Sequence, residues 1–218
     1  MNWKLPNQLT VGRLAIAGVF FVLLALYELP PAGGTGLLNV CFGLYILAGV
    51  TDVLDGYLAR KMNVTSAFGR ITDPFVDKVL VCGAFALLAG SNFVWGAGYP
   101  PPGGFERSLP SWLTGRMASG VQAWMVVAVV AREFIVSGVR GYSESQGKKF
   151  PATVWGKLKM FAQSVAICAA LFQLANLPEV RWAVMVKLAS VWVAVIVTVG
   201  SGLAYVNRAR GLMSSDEK

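Results

Sequence analysis

The sequence predicts an all-α, polytopic membrane protein with six transmembrane helices and a short N-terminal interfacial segment. Three observations predict it. Of the 218 residues, 56% are hydrophobic and 14% charged, far to the lipid side of an ordinary soluble composition. The apolar residues are gathered into six long runs, each of which forms or anchors a helix of about the 20 residues that a bilayer requires. The basic residues are also one-sided. With six crossings, all 19 Lys and Arg except Arg107, Arg116, Arg181 and Lys187 fall on the side that holds both chain ends. That bias predicts cytoplasmic termini.

The elements follow in order. Residues 1–10 (MNWKLPNQLT) form the interfacial segment, with Trp3 and Lys4 suited to the headgroup level. The first run, 14–26, begins too late and is too long for a simple secretory signal, so it reads as a retained helix. Pro30-Pro31 and Gly33-Gly34 make an external turn before the run at 37–50. That run and the next, 79–88, reach spanning length only by taking in polar residues. The 92–117 stretch holds Pro100, Pro101 and Pro102 and reads as an external loop with a short surface helix around Trp112. Runs at 121–130, 161–174 and 184–206 complete the bundle, with cytoplasmic connections at 60–78 and 140–159 and a flexible tail at 208–218. Nothing repeats, and 1–218 reads as one domain.

Composition narrows the chemistry. Cys41, Cys82 and Cys168 lie inside apolar runs without metal-ligand spacing, which makes them packing residues. There is no histidine, so catalysis must rest on carboxylates, hydroxyls, Lys or Arg. The net charge of +8 lies along a membrane face with no soluble domain to present it, which excludes a nucleic-acid partner and leaves the lipid bilayer.

The informative segment is TDVLDGYLARKMNVTSAFGRITDPFVDKVL, residues 51–80. Asp52, Asp55, Gly56, Ala59 and Arg60 share one helix face, and Gly69, Asp73 and Asp77 share another. A short turn between them makes the two helices antiparallel neighbours, so their acidic faces can meet. Four carboxylates near a membrane repel one another unless cations neutralise them. Hard oxygen ligands without Cys or His suit Mg²⁺, Mn²⁺ or Ca²⁺, and two divalent ions balance four carboxylates. Such a pair clamps the attacking and leaving oxygens of an in-line phosphoryl displacement. Gly56 and Gly69 let a phosphorylated ligand approach the backbone, and Arg60 offers a fork to a diphosphate. Singly, each residue has a plainer account: Asp73 before Pro74 could cap a helix, and the glycines could be packing notches. Together on two facing surfaces they are better read as a site, because ionisable residues at membrane depth are functional by default.

The spacing Asp52-x2-Asp55-Gly56-x2-Ala59-Arg60-x8-Gly69-x3-Asp73-x3-Asp77 resembles, without gap or substitution, the signature of the CDP-alcohol phosphatidyltransferase family. The resemblance implies a six-helix membrane fold, a homodimer, and a site open to the cytoplasmic side of a bacterial inner membrane. It also implies two divalent cations, Mg²⁺ or Mn²⁺, held by Asp52, Asp55, Asp73 and Asp77, with Asp77 also the general base. Gly56, Ala59, Ser66 and Gly69 match the positions that line cytidine diphosphate. The chemistry of an attacking alcohol independently favours a carboxylate base where histidine is lacking.

The acceptor is read from a second basic segment. Arg132 and Arg140 are eight apart on one helix face and, with Lys149, Lys157 and Lys159, are candidates for a phosphate pocket. For Lys148 and Lys149, attraction to anionic lipid accounts for the charge equally well. REFIVSGVR at 132–140, PNQLT at 6–10 and GKLK at 156–159 resemble the branch of the family that acts on glycerol-3-phosphate. That implies CDP-diacylglycerol as donor, with phosphatidylglycerophosphate and CMP as products. Met160 departs from that branch, where a threonine is expected. Inositol phosphate, phosphatidylglycerol and serine are the competing acceptors. Intramembrane prenyl transfer would place paired aspartates in two separate loops, and a cation channel would carry acids through the outer half; neither pattern is present.

Overall fold

The computed structural model describes residues 5–29, 36–62, 67–95, 105–146 and 154–213, with side chains for all of these except 5–10, 55–62, 67–74, 107, 144, 154 and 208–213. The described residues are helical, with one isolated bridge between Val94 and Met117 and no strand among them. The helices are α1 (Leu5–Ala25), α2 (Gly36–Met62), α3 (Ala67–Leu88), α4 (Phe105–Ser108), α5 (Ser111–Thr114), α6 (Ala123–Ser145), α7 (Val154–Asn176) and α8 (Arg181–Met213).

Among the described residues, three segments are long and apolar enough to cross a membrane: Gly36–Leu54, Trp155–Asn176 and Arg181–Asn207. A shorter apolar stretch, Val11–Ala25, lies in α1. Helices α3 and α6 have comparable lengths, 22 and 23 residues, but carry Asp73, Asp77 and Lys78, or Arg132, Glu133 and Arg140, within them. Those charges interrupt the apolar pattern that marks a span. The backbone of α1 is continuous from Leu5, so most of the segment read as interfacial is the first part of that helix.

Packing alternates the long helices. Helix α1 lies against α2 and α3, α2 against α7, α7 against α8, and α6 against α3 and α8. Gly83 of α3 admits the Phe21 ring of α1, where an added Cβ would come within 2.6 Å of it. Phe20 and Tyr45 join α1 to α2 with ring centroids 5.7 Å apart. Asn39 of α2 and Asn176 of α7 exchange side-chain hydrogen bonds at 2.8 and 3.3 Å, a polar clasp of the kind that holds helices together in lipid.

One end of the bundle is closed by the segment between α3 and α6. Asn92 donates to the Ala25 carbonyl at 2.6 Å, and Ser119 Oγ donates to the Leu88 carbonyl at 2.5 Å. Gly120 turns the chain at φ +73°, with Leu188 where a side chain would stand. Lys187, fully buried, donates to Glu106 at 2.7 Å and to the Ala118 carbonyl at 2.5 Å. Trp112, Trp124 and Trp192 cluster at this end, the pattern of an aromatic interfacial belt.

Candidate active site

The opposite end gathers the first turns of α1, α3 and α7 and the last turns of α2, α6 and α8. Helix α2 continues through Asp52, Asp55, Gly56, Ala59 and Arg60 to Met62, and α3 carries Gly69, Asp73 and Asp77. Because α3 begins at Ala67, Asp73 and Pro74 lie in the helix interior. Asp73 therefore does not cap α3, and Pro74 leaves the Arg70 carbonyl without its usual helical donor. Among the motif residues, side chains are described for Asp52 and Asp77. Those of Asp55, Gly56, Ala59, Arg60, Gly69 and Asp73 lie outside the described side chains, and Ser66 and Lys149 lie outside the described residues.

Asp52 and Asp77 converge on one group. Arg13 of α1 sends Nη1 to Asp52 Oδ1 at 2.5 Å and to Asp77 Oδ1 at 3.2 Å. Its side chain is 1% exposed, while those of Asp52 and Asp77 are 40% and 28% exposed. The guanidinium is thus buried against two carboxylates that are themselves partly exposed. A buried arginine costs several kcal/mol unless it is paired, and here two charge-assisted bonds offset that cost. In the sequence Arg13 counts only as one more basic residue near the membrane. The rule applied to the aspartates, that ionisable residues at membrane depth are functional, is the signal that could have found it.

A second charged group stands on α6, α7 and α8. Arg132 Nη1 meets Glu133 Oε1 at 3.1 Å, and Lys159 Nζ donates to the same oxygen. Arg132 Nε also donates to Ser201 Oγ at 3.2 Å, and the guanidinium lies over the Tyr205 ring, 5.9 Å from its centre. Gly202 leaves room for it, since a Cβ there would come 3.1 Å from Arg132 Cγ. Arg140 donates to the Tyr205 hydroxyl at 3.1 Å. Arg132 and Lys159 thereby meet at Glu133, and Arg132 and Arg140 meet at Tyr205. Lys157 is exposed and sits roughly 200° around α7 from Lys159. Glu133, Ser201 and Tyr205 are absent from the sequence reading. Glu133 is adjacent to Arg132 and was open to the same depth argument; Ser201 and Tyr205 carry no local signal.

The two groups are joined. Lys78, next to Asp77, donates to Ser137 Oγ at 2.7 Å, and Ser137 donates to the Glu133 carbonyl at 2.6 Å. An acidic pair and a cationic cluster therefore share one end of the bundle, with Lys78 between them.

The family model for CDP-alcohol phosphatidyltransferase matches residues 3–200. The chain belongs to the CDP-alcohol phosphatidyltransferase family. Its similarity to the Bacillus subtilis protein named CDP-diacylglycerol–glycerol-3-phosphate 3-phosphatidyltransferase is 31% identity, over 94% of this chain and 95% of that protein. The Haemophilus influenzae protein of the same name is 30% identical over 97% and 96%. That of Pectobacterium atrosepticum is 31% identical over 96% and 97%. As a CDP-alcohol phosphatidyltransferase the chain is a transferase of phospholipid synthesis.

Members of this family generally work with a divalent metal. The described donors fit one: Asp52 and Asp77 are hard oxygen ligands from different helices that already share a single cationic group, the guanidinium of Arg13.

Proposed function

We propose that this enzyme transfers the phosphatidyl group of CDP-diacylglycerol to glycerol-3-phosphate, giving phosphatidylglycerophosphate and CMP. The observation that carries the reading is the placement of Asp77 beside a cluster of Arg132, Arg140 and Lys159, linked through Lys78 and Ser137. The names of the three full-length relatives support the same donor and acceptor.

Asp52 and Asp77, with Asp55 and Asp73 of the same motif, would hold two divalent ions, Mg²⁺ or Mn²⁺. When bound, such ions neutralise the diphosphate and stabilise charge that develops in the displacement. The remaining chemistry belongs to the side chains. Gly56, Ala59, Arg60, Ser66 and Gly69 line the cytidine diphosphate. Arg132, Arg140, Lys149, Lys157 and Lys159 hold the acceptor phosphate. Asp77 takes the proton of the acceptor's primary hydroxyl. The alkoxide oxygen bonds to the lipid-side phosphorus while the bond from that phosphorus to the bridging oxygen breaks, and CMP departs with that oxygen.

The same reading includes six membrane crossings with both termini cytoplasmic, in the inner membrane of a bacterium, and a homodimer. Gathering of the charged groups at the end that holds the start of α1 and the end of α8 supports that topology.

The test is an acceptor panel. Purified protein receives CDP-diacylglycerol and Mg²⁺ with glycerol-3-phosphate, inositol phosphate, phosphatidylglycerol or serine, and CMP release is measured. CMP should appear with glycerol-3-phosphate. Release with inositol phosphate or phosphatidylglycerol in its place would establish the same chemistry on another acceptor, and release with serine would also remove the role of the cationic cluster.

A further inference from the structure

We infer that Glu133 is a positioning residue that sets the charge of the acceptor pocket to match a phosphate dianion, an inference that rests on the pocket assignment above. Its Oε1 is shared by Arg132 and Lys159, so one carboxylate fixes two cations that come from α6 and α7. All three residues are buried, with 8% of Glu133, 8% of Arg132 and 5% of Lys159 exposed. Arg140 donates to the hydroxyl of Tyr205, and the Arg132 guanidinium lies over the ring of the same residue.

The charge count gives the argument its direction. Three cations and one carboxylate leave two net positive charges, equal and opposite to a fully ionised phosphate monoester. Without Glu133 the buried cations Arg132 and Lys159 would be uncompensated, with the exposed Arg140 adding a third charge, a costly arrangement when empty. Such a site would also grip any phosphate, the leaving product included. Glu133 serves the empty pocket as an internal counter-ion. It remains as the acceptor arrives, and limits how tightly the anion is held. Glu133 touches neither donor nor reacting atoms in this scheme; it acts through Arg132 and Lys159.

Charge-changing variants test this, with inorganic phosphate as the probe. Steady-state CMP release is followed with glycerol-3-phosphate varied, and inhibition by phosphate is compared with chloride at equal ionic strength. In E133Q, which keeps an acceptor oxygen but loses the charge, phosphate inhibition should tighten on the order of ten-fold, a change typical of close charge pairs at a binding site. The KM for glycerol-3-phosphate should fall with it, while the KM for CDP-diacylglycerol holds. In K159M inhibition should weaken. The double variant E133Q/K159M again carries two net charges, and should bind phosphate more tightly than K159M and near the wild-type level.

Inhibition in E133Q that equals or falls below wild type overturns the role of Glu133 while leaving the pocket standing. If E133Q does not fold, K159M and the double variant decide: equal phosphate inhibition in the two overturns the proposal. A wild type indifferent to phosphate overturns both the pocket and the role of Glu133.

Discussion

Lys78 Nζ stands 2.7 Å from Ser137 Oγ, which ties the residue beside Asp77 on α3 to the helix that carries Arg132 and Arg140. Ser137 in turn bonds the backbone of its own helix at Glu133. The link therefore ties Asp77, the proposed base, to the helix that carries the cations proposed to hold the acceptor's phosphate. Small displacements of such groups are expensive, since a misplacement of about 1 Å can cost 10²-fold in rate. Ser137→Ala should lower kcat roughly ten-fold, with little change in the KM for CDP-diacylglycerol. Steady-state kinetics on the purified variant checks it; an unchanged kcat would show that α3 and α6 keep their spacing without this bond.

Asp77→Asn should leave a folded protein that turns over at least 10²-fold more slowly, in line with the contribution of a positioned base. Size-exclusion profile and melting temperature report folding, and CMP release reports turnover. Activity within a few-fold of wild type would remove Asp77 as the base.

Arg13→Gln should destabilise the protein in the absence of added metal by about 1–2 kcal/mol. That value is discounted from the roughly 3–5 kcal/mol of a fully buried pair because Asp52 and Asp77 are partly exposed. Mg²⁺ should raise the melting temperature of R13Q more than that of wild type, because divalent charge relieves the repulsion Arg13 otherwise offsets. Thermal unfolding with and without Mg²⁺ measures it. Equal Mg²⁺ shifts would mean that Arg13 does not share its carboxylates with the metal.

Far from the site, Lys187→Met should cost about 3–5 kcal/mol by leaving Glu106 buried with Trp95 Nε1, at 3.0 Å, as its remaining partner among the described residues. Glu106→Gln in the same background should recover most of the loss, since both charges are then gone. Melting temperatures of the two singles and the double give the cycle. Catalysis per folded molecule should not change, because the pair closes the opposite end of the bundle.

The carboxylate segment was legible because helical periodicity is local. Residues three, four and eight apart share a face whatever the rest of the chain does, so Asp52 with Asp55 and Asp73 with Asp77 could be placed on two helices. The same periodicity put Arg132 and Arg140 together, and both reach Tyr205. It also separates Lys157 from Lys159, two apart and grouped in one phosphate pocket, which stand on different sides of α7. It was silent on Arg13, whose partners lie 39 and 64 residues away. In α3 and α6, charged residues interrupt an apolar pattern of helices as long as a span.

By itself the sequence determined that the chain is helical and largely apolar, and that the four aspartates lie on two successive helices, α2 and α3. These properties depend on residue type and on spacings of a single turn or two. Tertiary structure decided which charges meet: Arg13 with Asp52 and Asp77, Lys159 with Glu133, and Lys187 with Glu106. The physical reason is that an ion pair between helices is set by their axial register and crossing, and those follow from packing along the whole contact. A rotation of one residue would turn Arg13 by about 100° and carry its guanidinium away from both carboxylates.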